Sequence, residues 1–302
     1  MAQNSFIDEI KRTYHQGGMN IRLVFINAIV FVGIGLLGLL GRLFGDGETI
    51  HFILTGIFSL KTDLIGFISH PWGIITSMFA HFGLWHFVMN MMFLYFAGQM
   101  FLQFFSGKRL LSTYILGGLF GGLLEILTHL LFPNIGVEGA VIVGASGSIM
   151  AIFMALAFYR PQLEIRLFGV LPVRLFVLAL LFLLSDLFAI GSNDGTAHFA
   201  HLGGALLGYL SVRNLNSSKN IITMFSKFLD RIFSFFKGLF GPKKMKVVKT
   251  DRRPEFKSDE QYAMEKKQNQ EKIDAILDKI SRAGYDSLSK HEKDFLFKQS
   301  GR

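Results

Sequence analysis

The residues of this chain able to do chemistry stand in three short clusters, each in apolar surroundings. Ser146 belongs to Gly144-Ala145-Ser146-Gly147-Ser148, a polar patch inside the apolar stretch 136–160. Small residues there suit close packing of two membrane helices. They also suit a nucleophile: glycines leave room for a substrate backbone, and an N–H in the unsatisfied first helical turn can donate to an oxyanion. A serine nucleophile needs a base, and the run Ala197-His198-Phe199-Ala200-His201-Leu202-Gly203-Gly204-Ala205-Leu206-Leu207-Gly208 offers two histidines. At helical spacing His201, Gly204, Ala205 and Gly208 share one face, a histidine above a groove of small residues. Such a groove lets its helix approach the Ser146 cluster until the imidazole reaches the hydroxyl. His198, one turn further out, is the second candidate base and suits the cavity mouth better. In the third cluster His86 and Asn90 are four residues apart, so a helix stacks them and aims two donors at one spot. With the Ser146 N–H they would form an oxyanion hole, in which one lost donor costs about 2.7–4 kcal/mol in a soluble serine protease. Each cluster taken singly has a plainer reading: helix packing for the serine, a carbonyl-bonded buried ring for the histidine, an interhelical hydrogen bond for the asparagine.

What must position these clusters is a membrane bundle. The 302 residues are 51% hydrophobic, include 33 phenylalanines, and hold several apolar runs near the ~20 residues that cross a bilayer. Six spans are expected, at roughly 21–44, 73–100, 109–131, 141–159, 171–190 and 197–213, giving an all-α polytopic membrane protein. Lys108, Arg109, Arg160, Arg166 and Arg174 fall in the loops after spans two and four, whereas the other three loops hold only Lys61. The positive-inside rule then puts both termini in the cytoplasm, in a multi-pass protein of the cell membrane. All three clusters lie at the outward ends of their spans, which suggests one wet pocket opening to the outer side. Glu125, His129 and Asp186 sit at similar depth and are expected to be structural partners within the bundle rather than direct participants. No cysteine is present, which removes thiol catalysis, disulfides and cysteine-bound metal; no cofactor is expected. The start, MAQNSFIDEIKRTYHQGGMNIR, does not read as a cleaved signal peptide.

The combination of H-x-x-x-N (His86, Asn90), G-x-S-G (Gly144, Ser146, Gly147) and A-H-x-x-G-x-x-x-G (Ala200, His201, Gly204, Gly208) resembles the rhomboid family of intramembrane serine proteases, over residues 15–213. The resemblance implies a six-helix rhomboid-like bundle that cleaves transmembrane protein substrates with a Ser146–His201 dyad and no carboxylate third member. It also implies an oxyanion site from Ser146, His86 and Asn90, and a structural role for His81 in holding the first loop. The His-Phe-Ala-His-Leu-Gly-Gly run resembles members whose second histidine is catalytic, which favours His201 over His198.

The sequence departs from the family pattern in three places. Met150 stands where many members have tyrosine, Gln103 where a glutamate often occurs, and Pro71-Trp72 is followed by Gly73 rather than arginine. None of these removes a catalytic group. Other enzyme classes fit poorly: there is no HExxH, Ser148 occupies the last glycine of G-x-S-x-G, and Asp186 has no aspartate partner in another span. A catalytically silent scaffold that binds transmembrane helices is the alternative, and a small transporter a remoter one; no inverted repeat supports the latter.

The domains read as an N-terminal segment 1–20, a membrane domain 21–213, a basic juxtamembrane segment 214–253 and a small helical cytoplasmic tail 254–302. Residues 219–253 carry ten Lys/Arg against Asp230 and Asp251, nearly all of the formal +9. Residues 221–237 alternate apolar and basic positions as an amphipathic helix does, which suits anionic inner-leaflet lipid better than nucleic acid. In the tail, Ser258-Asp259-Glu260 is expected to start a helix, Gly284 to end it and Ser289 to start another; it resembles a small tail domain of some bacterial rhomboids.

Overall fold

The computed structural model of the chain describes residues 6–133, 141–167, 169–192, 194–240 and 259–300. The start of the 136–160 stretch, the basic positions 241–253 and the Ser258 cap lie outside the described residues. In chain order the elements are α1 Phe6–Gln16, α2 Met19–Leu43, α3 Gly47–Phe58, β1 Leu60–Lys61, α4 Leu64–Ser69, α5 Gly73–Thr76, α6 Leu84–Phe104 and α7 Gly107–Leu131. Next come β2 Val141–Ile142, α8 Ser146–Tyr159, β3 Glu164–Leu167, β4 Leu171–Arg174, α9 Leu175–Ala189, α10 His198–Val212, α11 Ile221–Phe240, α12 Asp259–Ala283 and α13 Lys290–Ser300. They fall into two units, one built on α2 to α11 and the other including α1, α12 and α13.

The protein is an all-α polytopic membrane protein. Among the described residues α2, α6 and α7 are long and apolar enough to cross a bilayer. The apolar α8 and α9 have only 14 and 15 residues, and α10 has 15, about three quarters of a bilayer core at ~1.5 Å per residue. Three of the expected spans therefore begin late. Residues 73–79 form two short helical pieces, so α6 starts only at Leu84; α8 starts at Ser146; and 171–174 pair with 164–167 as a hairpin before α9. An apolar run reports a membrane-buried segment without saying where its helix begins.

Lipid-facing and buried faces separate clearly. Ile29, Phe96 and Phe188 are exposed, as an apolar surface bathed in lipid tails should be. By contrast α8 is apolar all round and buried, with Ala151, Ile152, Ala155, Leu156 and Ala157 fully covered. It packs between α7 and α10, the three helices in closest mutual contact. The approach of α10 is set by glycine: a Cβ on Gly208 would fall 2.6 Å from the Ala151 carbonyl oxygen, and one on Gly204 would strike the Gly147 carbonyl.

The far end of α10 is knitted to α7 and to the start of α11. Buried Arg109 of α7 donates to the Ser211 carbonyl at 2.6 Å and to Asn220 Oδ1 at 3.1 Å. Asn220 in turn donates to the Ser211 and Arg213 carbonyls and accepts the Ile222 and Thr223 N–H groups, so one side chain closes α10 and caps α11. Pairs between Ser112 and Ser226 and between Lys108 and Asp230 lay α11 against α7.

In the second unit α12 ends at Gly284, whose φ of +76° lies in the left-handed region that favours glycine. Ser289 and Glu292 form a reciprocal capping box at the start of α13: the Ser289 N–H reaches Glu292 Oε2 at 2.6 Å, and the Glu292 N–H reaches Ser289 Oγ at 3.3 Å. Lys279 of α12 donates to both Glu292 oxygens at 3.0 Å, tying the two helices together.

Candidate active site

The segment that delivers Ser146 is pinned on two sides before the helix begins. β2 pairs antiparallel with β1, Leu60 opposite Ile142 and Lys61 opposite Val141. The Gly144 N–H donates to the Ser77 carbonyl at 2.8 Å. Ser77 begins a short turn that is itself held by Tyr114 of α7, whose hydroxyl donates to the Met78 carbonyl at 2.7 Å. Gly144 has φ +123°, and a Cβ there would fall 2.7 Å from Cε1 and 2.8 Å from Nε2 of His86. Only glycine meets both demands, and the result seats the His86 ring two residues before Ser146. Ser146 then opens α8, leaving its own N–H in the unsatisfied first turn.

The His201 side of the cavity is fixed from three directions. α10 begins at His198, and the Ala200 N–H in its first turn is taken by Glu125 Oε2 of α7 at 2.9 Å. Below this cap the backbones of α8 and α10 touch, since a Cβ on Gly147 would lie 3.0 Å from the Ala200 carbonyl oxygen. On the third side stands Asp186 of α9, buried at 7% exposure. Its Oδ1 lies 2.8 Å from His201 Nδ1 and 2.9 Å from His198 Nδ1. His198 Nε2 faces Asp194 Oδ2 at 3.3 Å and Ser192 Oγ at 3.4 Å.

These groups meet in one cavity of about 1070 Å³, whose lining includes Ser146, His201, His86, Asn90, His198 and Asp186. Met150, in the place of the family's frequent tyrosine, lines it too. Gly147, Gly204 and Gly208 form the α8–α10 contact beneath it. His81 is fully buried behind the site, edge-on to His86 at 5.1 Å and to Phe87 at 5.6 Å, so it backs the His86 ring. Asn90 is also buried, and its amide donates to the His86 carbonyl within its own helix at 2.9 Å, which leaves one amide proton for the cavity.

Two of the contributors carry no direct role in the sequence reading. Asp186 and Glu125 are assigned there as structural partners; the structure puts the first on the His201 ring and the second on the turn that carries it. The available signal for Asp186 was its isolation, as it is the one ionisable residue in the fifteen of α9. Glu125 bonds a backbone group, which leaves no trace in sequence. The ligand atoms of Asp186, His198 and His201 lie within 4.8 Å of one another. The geometry is that of hydrogen bonding, with one oxygen as common acceptor for two ring nitrogens, rather than three lone pairs aimed at a shared point.

Just outside the bundle, Asp194 has its carboxyl held below the usual range, first by the Thr196 N–H, which donates to its Oδ1 at 2.8 Å. An anion is thus kept at the mouth of the cavity, beside His198.

Residues 69–216 match the family described as Rhomboid domain, and residues 257–302 match a family of unknown function. RHOMBOID-like protein 12, mitochondrial, of Arabidopsis thaliana is 30% identical over 200 residues, 63% of this chain and 56% of that protein. RHOMBOID-like protein 6, mitochondrial, of the same plant is 28% identical over 142 residues, covering 47% of this chain and 42% of that protein. RHOMBOID-like protein 1 is 30% identical over 141 residues, 46% of this chain and 33% of that protein. The chain spans about half or less of the length of these curated relatives.

Proposed function

Because this chain belongs to the rhomboid family, we propose that it is a serine endopeptidase that hydrolyses peptide bonds in or near the transmembrane segments of other proteins. The observation that carries this reading is the convergence of Ser146, His201 and His86, from α8, α10 and α6, on one cavity, with the α8 and α10 backbones approaching at glycines. Ser146 Oγ attacks the scissile carbonyl while His201 takes its proton. The resulting oxyanion is held by the Ser146 N–H, the His86 ring and the remaining amide proton of Asn90. His201 returns the proton to the leaving amine, and water then hydrolyses the acyl-enzyme through the same base.

The setting follows from the same reading. The protein is a multi-pass protein of a cell membrane, with both termini cytoplasmic and the site opening outward, as the basic loops favour. A substrate helix enters sideways from the bilayer and unwinds where small residues weaken it. On the cytoplasmic side α11 presents Met224, Phe228 and Phe233 as exposed apolar residues beside Lys227 and Arg231, which suits the interface of an anionic leaflet.

Cleavage of a transmembrane substrate in proteoliposomes tests the reading, using wild type, Ser146→Ala, His201→Ala and His198→Ala. Wild type should cleave, with loss of activity in Ser146→Ala and His201→Ala. Activity that survives Ser146→Ala overturns the mechanism, and abolition by His198→Ala with His201→Ala active reassigns the base. Labelling of Ser146 by a fluorophosphonate separates an enzyme from a scaffold or transporter.

A further inference from the structure

We propose that Asp186 is the positioning residue of His201, so that the site works as a Ser146–His201–Asp186 relay rather than a serine–histidine pair alone; the proposal rests on the protease reading above.

A carboxylate inside an apolar membrane helix is costly unless something answers it. α9 holds one such group in its fifteen residues, and it is turned to α10 and buried. Its Oδ1 meets His201 Nδ1 at 2.8 Å and His198 Nδ1 at 2.9 Å. A carboxylate oxygen only accepts, so each Nδ1 must carry its hydrogen. For a neutral His201 ring this leaves Nε2 as the nitrogen with the lone pair. Nε2 is therefore the atom able to take the Ser146 proton, and the carboxylate holds both the tautomer and the ring plane.

The same geometry separates the two histidines. His198 has acceptors on both sides, Asp186 at Nδ1 and the Asp194 carboxylate and Ser192 hydroxyl at Nε2. Both of its nitrogens are engaged, so it serves as a tether that keeps Asp186 in place. His201 bonds Asp186 through Nδ1, which leaves Nε2 for the work of a general base. The titratable groups around His201 are Asp186 from α9, His198 on its own helix, His86 from α6 and Glu125 from α7. Of these, Asp186 and Glu125 are acids, and only Asp186 bonds the ring directly.

The test compares full-length wild type, Ser146→Ala, Asp186→Asn and Asp186→Glu in proteoliposomes, reading kcat and KM for a transmembrane substrate from pH 5 to 10, fluorophosphonate labelling rate and thermal unfolding. Cleavage by wild type and its absence in Ser146→Ala first establish the protease reading; failure at that step defeats that reading, separately from the role of Asp186. Asp186→Asn, which keeps the side-chain shape but can turn its NH2 to the ring, is expected to lower kcat by ~10²–10⁴ with little change in KM. The acidic limb of its pH–rate profile should move, because the charge hydrogen-bonded to the His201 ring is gone. Asp186→Glu should recover part of the rate. Asp186→Asn within about threefold of wild type, or a loss matched by the loss of folded protein with the acidic limb unmoved, overturns the proposal. Loss of wild-type cleavage on chelation with EDTA also overturns it, since a bound cation would then occupy the cluster.

Discussion

Glu125 of α7 accepts the backbone N–H of Ala200 at 2.9 Å, capping the first turn of α10 one residue before His201. The capping group comes from another helix, so it sets the position of α10 as well as satisfying an orphan donor. Glu125→Ala should lower stability by about 0.5–2 kcal/mol, the range for a lost N-cap, and slow fluorophosphonate labelling of Ser146 by loosening the turn that holds His201, the proposed base. Glu125→Gln keeps an acceptor oxygen and should stay near wild type. Thermal unfolding in detergent and labelling rates check both.

The contact beneath the site is stricter. A Cβ on Gly204 meets the Gly147 carbonyl oxygen and lies 3.2 Å from the Gly147 Cα, both backbone atoms that cannot rotate away. Gly204→Val should push α10 off α8, with an overpacking loss of about 1–3 kcal/mol. A shift near ~1 Å between Ser146 and His201, the proposed nucleophile and base, should slow labelling about 100-fold. Gly33→Ala is the control, because nothing lies within 4 Å of a Cβ there. Equal behaviour of the two variants would refute the claim that this backbone contact sets the site.

What could be read from sequence and what could not differ in physical kind. The small-residue face of Gly204 and Gly208 has the periodicity of the helix that carries it, so it was legible, as was the meeting of the three polar clusters, which line one cavity. The start of α6 at Leu84 was not, because residues 73–79 are as apolar as a span while folding as short separate turns. The link between Asp186 and His201 depends on which way α9 faces, and an almost wholly apolar helix gives no moment from which to read that. The bond from Asn90 to the His86 carbonyl is local, but helix spacing alone left the donor free to point inward.

That last bond grades the two proposed oxyanion donors of α6. The His86 ring rests on Gly144 with no Cβ between them, two residues from Ser146. Under the proposed mechanism His86→Ala should reduce kcat by the amount lost with one oxyanion donor, about 10²–10³-fold, with KM nearly unchanged. Asn90 already spends one amide proton on its own helix, so Asn90→Ala should reduce kcat by less. A larger effect at Asn90 than at His86 would reverse the assignment.

The tail offers a pH test outside the membrane. The Glu292 carboxyl is lowered from the ordinary 4.5 to about 2, first by the Ser289 N–H that it accepts and then by the Lys279 ammonium. A carboxyl depressed in the folded state stabilises fully above its unfolded value and loses that contribution as the pH falls through its folded value. The joint between α12 and α13 should thus be intact at pH 5 and weaken progressively from about pH 4.5 toward pH 2. Amide hydrogen exchange across α13 in the full chain, corrected for intrinsic rates, reads this directly. Glu292→Gln should show faster exchange at pH 5 and little further change on acidification, because the ionisable acceptor is gone; a variant with the wild-type pH profile would assign the transition to another group.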